Sequence, residues 1–310
     1  MCYNLNMISK YKYKKLTWID LESPNREEVL EIAEKYDLPD LVSDELLRKT
    51  MRSKVDLYPD LIYLILHFPA TGHKHGKDMH TEIDFIIGKN FLITAHYELV
   101  DPLHEFAKAF EVSSILQKTD IGNHAGFLFF HIVKNLYRYS TGQLEDIQGH
   151  LEKVENNIFD GHEKEMVNEI SKINRKLLDF KQSIRFHKEV LGSFEIAGKK
   201  FFGESFGYNL SILSGEYNKV ENLLDSHKEL LNDLRDTNDS LLTDKTNETM
   251  RTLTIMSFTI FPLTLIATLF SMRADYMPLV GMRGDFWIII GLMILAVFGM
   301  YRFFKKKKWL

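Results

Sequence analysis

The rhythm of hydrophobic positions changes three times along the chain. In residues 1–121 short apolar runs are separated by turn residues, which reads as a mixed α/β region. Leu16–Leu21 (LTWIDL) predicts a strand. Ser23-Pro24 predicts a helix N-cap with Pro at the first helical position, Glu27 and Glu28 in the first turn, and helix on to Tyr36. Val55–Tyr58 and Leu61–Phe68 predict strands, and Thr81–Ile87 with Asn90–Tyr97 a hairpin turning at Gly88-Lys89. Pro102 opens a helix with Leu103, Phe106 and Phe110 on one face.

From Gly122 the strand signals vanish. Phe127–Tyr139 is apolar and helical in pattern, and Leu144, Ile147, Leu151, Val154 and Ile158 recur at steps of three and four. Glu165–Leu191 repeats that spacing, and the glycines of Gly198–Gly207 predict a break. Residues 122–208 therefore predict a helical hairpin packed on the α/β part. From Asn209 to about Met272 only Gly215 and Pro262 interrupt the pattern. One very long helix is expected there, roughly 80–95 Å at 1.5 Å per residue. Its stalk is 209–250, with Leu223, Leu224, Leu230, Leu231, Leu234, Leu241 and Leu242 as a stripe for partners.

The third rhythm is continuous apolarity. Leu253–Phe270 has no charge, and Phe286–Phe304 has Arg302 near its end. Each is long enough to cross a hydrocarbon core of roughly 30 Å. This predicts a first span at 251–272, an extracytoplasmic loop at 273–285, a second span at 286–304 and a basic tail at 305–310. The basic residues Lys245 and Arg251 before the first span, and Arg302 with Lys305–Lys308 after the second, put both termini in the cytoplasm. Trp287 and Trp309 suit the two interfaces.

Charge sharpens this division. The chain carries −4 overall, but residues 251–310 hold eight Lys/Arg against two Asp, so the rest is strongly acidic. An acidic body on a basic membrane end suits a cation handler and argues against nucleic acid as a partner. Cys2 is the single cysteine, so no intrachain disulfide or zinc-binding cysteine pattern exists. The opening residues MCYNLNMISKYKYKK lack the apolar stretch of a signal peptide, so the N-terminal body is expected in the cytoplasm.

The two spans differ in polarity. The second is plainly apolar. The first carries Thr254, Ser257, Thr264, Thr268 and Ser271, in line with Asn247 below them, on one helical face interrupted by Met250 and Phe261. Thr252 and Thr259 lie off that face. Hydroxyls in a span can simply bond back to the preceding turn or join helices together. A whole polar face favours a wet lumen instead, which requires a ring of identical helices. Pro262 removes a backbone bond and permits a bend. Asn247 and Thr264 suit a hydrated divalent ion, because Mg2+ gives up its inner waters reluctantly. Met250, Leu253 and Phe261 suit a gate that closes by dewetting.

The runs TWIDLESPNREEV, RSKVDLYPDLIYLILHFP and IDFIIGKNFLITAHYE, then NETMRTLTIMSFTIFPLTLIATLF, DYMP and FFKKKKWL, resemble the CorA family of divalent-cation transporters over nearly the whole chain. The resemblance implies an α+β cytoplasmic funnel, a long stalk helix continuous with the first span, and a homopentamer in the cell membrane. It implies passage of Mg2+, Co2+ or Ni2+, with zinc in one branch, and closure by cation bound between cytoplasmic subunits. Asn247, Met250, Leu253 and Thr264 match family pore positions, and Asp236 an acidic stalk position. One departure stands out. The family signature Gly-Met-Asn, usually preceded by Tyr, is here Phe270-Ser271-Met272-Arg273. Five Arg273 side chains at an entrance would repel one another and an incoming cation, although Arg can snorkel or pair with Asp275 or Asp285.

Of other chemistry the sequence offers little. His73, His75 and His80 include an HxH, which can bind zinc, but no fourth ligand accompanies it and an exposed loop is expected. No phosphate-binding loop, nucleophile elbow or HExxH is present, so no enzyme and no cofactor are expected. The expectation is a Mg2+ channel driven by the membrane potential, with lipid, divalent cations and further copies of itself as partners. The alternative is a divergent member that passes zinc or anions, or a nonconducting scaffold or sensor.

Overall fold

The computed structural model describes residues 8–70, 80–98, 100–116, 122–272 and 284–307. The chain divides into two compact units, Met1–Arg235 and Asp236–Leu310.

The first unit is built on a six-stranded sheet: β1 (Ile8–Tyr13), β2 (Leu16–Glu22), β3 (Lys54–Leu57), β4 (Leu61–Pro69), β5 (His80–Gly88) and β6 (Phe91–His96), in the order β1-β2-β6-β5-β4-β3. Only the β2–β6 pair is parallel. That pair lies inside the sheet, whose two faces are both covered, and the near-continuous burial of β4, β5 and β6 reflects this. One face carries the helices α1 (Arg26–Tyr36) and α2 (Asp40–Glu45), where Ile19, Ile32, Val42, Tyr63 and Ile86 share a core. The other meets α3 (Asp101–Leu116), α4 (Ala125–Phe159), α5 (Glu163–Ile184) and α6 (His187–Phe202). There Trp18 packs edge-on against Phe110 at 5.7 Å, and Phe85 against Phe129 at 5.1 Å. Burial of each such side chain stabilises the fold by about 1.5–3 kcal/mol.

Several local expectations shift. The cap of α1 is Asn25, not Ser23. Asn25 Oδ1 accepts from the Glu28 N–H while the Asn25 N–H donates to Glu28 Oε2, both at 3.0 Å. Ser23 instead finishes the sheet, its N–H donating to His96 O at 2.7 Å. The β5–β6 loop is Lys89-Asn90, one residue later than expected, because Ile87 pairs with Leu92. Phe127–Tyr139 and Leu144–Phe159 are one helix, since Gly142 does not interrupt α4. The single pattern across Glu165–Leu191 splits at Arg185-Phe186 into α5 and α6. The later break falls at Gly203 alone, whose φ of 100° suits glycine, while Gly198 stays inside α6. β1, a lysine-bearing edge strand, and α2 were not expected from the pattern.

At the α5–α6 bend His187 turns into the core. Its Nε2 donates to His67 O and its Nδ1 accepts from the Tyr137 hydroxyl, each at 2.8 Å. Burial holds its pKa down to about 3, so it stays neutral.

After a single 3-10 turn at Glu204–Phe206 comes α7 (Gly207–Ser271), and after the loop α8 (Asp285–Lys306). Within the first unit α7 buries Leu210, Leu213, Tyr217, Val220, Leu224 and Leu231. Lys181 of α5 pairs with Asp225 at 2.9 Å.

Candidate ion-conducting face

The second unit holds the end of α7 and all of α8, the two helices among the described residues that are long and apolar enough to cross a membrane. Two grooves place them side by side. Leu263, Thr264 and Ala267 line one with Met293, Val297 and Tyr301 of α8. Phe258 and Pro262 line the other with Ala296, Met300 and Phe303. Between these grooves lies the contact. On α7 it is the half-buried stripe Ile255, Thr259, Pro262, Leu263, Ile266 and Phe270. On α8 it is Ile289, Met293, Ala296, Met300 and Phe304, the last only 4% exposed.

The polar face lies on the far side. At 3.6 residues per turn, Asn247, Met250, Leu253, Thr254, Ser257, Phe261, Thr264, Thr268 and Ser271 centre about half a turn away from the stripe that meets α8. All of these residues are exposed except Thr254, which is intermediate. Thr264, on the same face, also lines a groove beside α8. Met272 follows the last helical turn, and Arg273 lies outside the described residues, as do His73, His75 and Trp309.

The hydroxyls on this face are not idle. Thr254 Oγ1 donates to Met250 O at 2.7 Å, Thr264 to Ile260 O at 3.0 Å and Thr268 to Thr264 O at 2.9 Å. Thr252 and Thr259, off the face, bond back in the same way. Bonding back therefore does not distinguish the face. It does fix what each hydroxyl still offers: its proton is spent on the helix and its lone pairs point outward as acceptors. A hydrated cation presents the hydrogens of its water shell, so acceptors are the groups it needs. Asn247 offers an amide oxygen of the same kind.

Below the span the same face carries Asp236 and, three residues on, Asp239, both exposed. Their carbonyls accept from Ser240 and Thr243 at 2.9 and 2.8 Å. Asp239 and Thr243 add to the residues expected on this face, and their spacing from Asp236 and Asn247 is the signal that places them there. Among the described residues no group of three or more His, Cys, Asp or Glu is arranged to hold a metal ion. The face can thus hold water and a hydrated ion through neutral acceptors, with carboxylates at its lower end.

Comparison with known proteins agrees in extent. A family profile described as the CorA-like Mg2+ transporter protein matches residues 13–306. The cobalt/magnesium transport protein CorA of Thermotoga maritima is 24% identical over 95% of this chain and 83% of its own. The protein of the same description from Methanocaldococcus jannaschii is 23% identical over 99% of this chain and 95% of its own. The complete structure of the CorA magnesium transporter from Methanocaldococcus jannaschii superposes with a TM-score of 0.82 at 21% identity, covering 99% of this chain and 95% of that one. That likeness establishes the fold: an α+β N-terminal domain, a long helix and two apolar helices.

Proposed function

The chain belongs to the CorA-like Mg2+ transporter family, and on that premise we propose that it passes divalent metal cations across a membrane, Mg2+ first among them and Co2+ or Ni2+ with it. Membership of a transporter family places it outside the enzymes. The observation that carries the reading is the acceptor face of α7 turned away from α8. In this reading several copies, five by family resemblance, bring that face together around water, and α8 stands between it and lipid.

The cation keeps its waters, which donate to Asn247 Oδ1 and to the hydroxyl oxygens of Thr254, Thr264 and Thr268. Ser257 and Ser271 extend the same face. Met250, Leu253 and Phe261 supply the apolar stretches that lose water when the bundle narrows. Asp236 and Asp239 raise the local cation concentration at the lower end. The basic residues flanking the spans support cytoplasmic termini, and an interior-negative potential then draws cations inward without ATP, by about 2.3 kcal/mol per charge for each 100 mV. Cation bound between cytoplasmic subunits would make the substrate its own regulator.

A second reading rests on Arg273, which brings five donors and no acceptor to the position where the family has an amide. It makes the protein a member of altered selectivity, for zinc or anions, or a nonconducting sensor. Proteoliposome flux of Mg2+, Co2+, Ni2+, Zn2+ and Cl−, in wild type and Arg273→Asn, decides between them. The first reading expects Mg2+ flux in wild type and a rise in the variant. Flux of none of the divalent ions in either protein would overturn it.

A further inference from the structure

The sheet face that carries α1 and α2 holds a constellation with no part in conduction. Glu82 and Asp84 are two apart on β5, so both emerge on that face. Across the β4–β5 ladder they stand opposite His67 and Ile65. Asp84 is 1% exposed and Glu82 5%. The negative charge of Glu82 is the strongest charge acting on Asp84. Asp84 Oδ1 and Glu82 Oε1 are buried without any donor. An ionised carboxylate only accepts, so two such groups can bond only through a proton.

We propose that Glu82 and Asp84 share a single proton, and that this proton latches residues 46–53 onto the sheet. The attachment is explicit. Glu82 Oε2 accepts from the Thr50 N–H at 2.6 Å, and Thr50 O accepts from His67 Nε2 at 2.8 Å. The Tyr97 hydroxyl stands 3.4 Å from Glu45 O and 3.3 Å from Arg48 O. It also stands 3.5 Å from Asp84 Oδ2. The segment that follows α2 therefore hangs on groups that surround the pair.

Every neighbour bears on where the proton sits. From β4, the Tyr63 hydroxyl lies 3.4 Å from Asp84 Oδ2, and His67 Nε2 lies 3.7 Å from Glu82 Oε2. His67 Nδ1 is bonded to Ser53 Oγ at 2.9 Å. From α2, Glu45 adds negative charge. From β3, Lys54 would offset it, but it is committed to Glu45 and Asp56 at 2.7 Å each. The helices α4 and α5 pack on the opposite face, where Phe85 meets Phe129, and bring no charge to the pair. Burial first, and the charge of Glu82 second, hold the Asp84 pKa well above the ordinary carboxylate range. A raised carboxyl stabilises the fold fully below its unfolded value. That contribution is lost as pH climbs through the raised one. Ionising both groups leaves adjacent anions away from water, and the relief open to Glu82 is to swing out, which releases Thr50. The freed segment carries Arg48, Lys49 and Arg52 around the exposed Met51.

The test uses the full-length protein in nanodiscs. Infrared spectra at neutral pH should show the carbonyl band of a buried protonated acid, shifted in D2O and missing from Asp84→Asn. Trypsin cleavage after Arg48, Lys49 and Arg52 should then accelerate in wild type relative to Asp84→Asn at each pH. The acceleration is about tenfold per unit as pH climbs from the ordinary carboxylate range to the raised pKa, and it levels off above that. A wild type without the band overturns the shared proton even if the variant fails to fold. Identical cleavage profiles overturn the latch. Loss of the band on adding Mg2+, with protection from trypsin, would mean a cation occupies the site and also overturns it. None of these readouts depends on ion flux.

Discussion

The two apolar spans of the second unit are similar in length and hydrophobicity and opposite in design. On α7 the side away from its neighbour is studded with hydroxyls, interrupted by Met250, Leu253 and Phe261. On α8 the corresponding exposed positions are Ile288, Leu292 and Leu295. Lipid accepts the second surface without cost and gives nothing to the first. The contrast teaches that hydrophobicity alone marks a span, whereas the side on which its few polar groups fall marks its neighbour.

The strongest way to break the comparison is to put the same charge on both surfaces. Thr264→Lys should leave assembled protein at wild-type levels but stop divalent-cation flux. Leu295→Lys, at a site 75% exposed on α8, should lower the yield of inserted protein, since a lysine at mid-membrane costs about 2.5–3.5 kcal/mol. Quantified membrane fractions and proteoliposome flux check both, and equal flux in Thr264→Lys and wild type would sink the distinction. A smaller effect is expected from Thr268→Val, which removes one acceptor worth about 0.5–1.5 kcal/mol. Flux should fall roughly two- to tenfold, while Ile294→Val on α8 changes nothing measurable.

Acid separates the spans from the first unit with the smallest effect on flux. Between Arg251 and Met272 there is no Asp, Glu or His, so conduction through the face itself should be flat with pH. His187 is different. Burial depresses its pKa from 6.5 to about 3. Its neutral form therefore stabilises the fold above 6.5, and that contribution is lost as pH falls toward 3. Melting temperature should drop over that window while flux at a fixed driving force, in protein still folded, does not.

The parts of the fold legible in the sequence were those where one period dominates. LIYLILHF is buried on both faces and reads as a strand. The steps of three and four from Leu144 to Ile158 read as helix. Where tertiary contacts decide, the pattern misled. Ser23-Pro24 looks like a cap until the Asn25–Glu28 reciprocal bonds are seen. The Arg185-Phe186 bend follows from His187 reaching Tyr137 and His67, distant partners that no local window contains. The polar face is readable from spacing, and so is the place of Asp239 on it. The Glu82–Asp84 pair is not, because alternation within β5 shows only that two acids share a side. It does not show that the side is buried.

The threonines of α7 have one more implication, for biogenesis. A side chain whose proton is already given to its own backbone carries little unmet demand into oil. Each copy can thus partition from the insertion machinery by itself, residing in the bilayer as a tolerated lone helix pair before it meets its siblings. In the proposed ring, recruitment is then a later, reversible event, governed by how many copies the membrane holds and not by the order of synthesis.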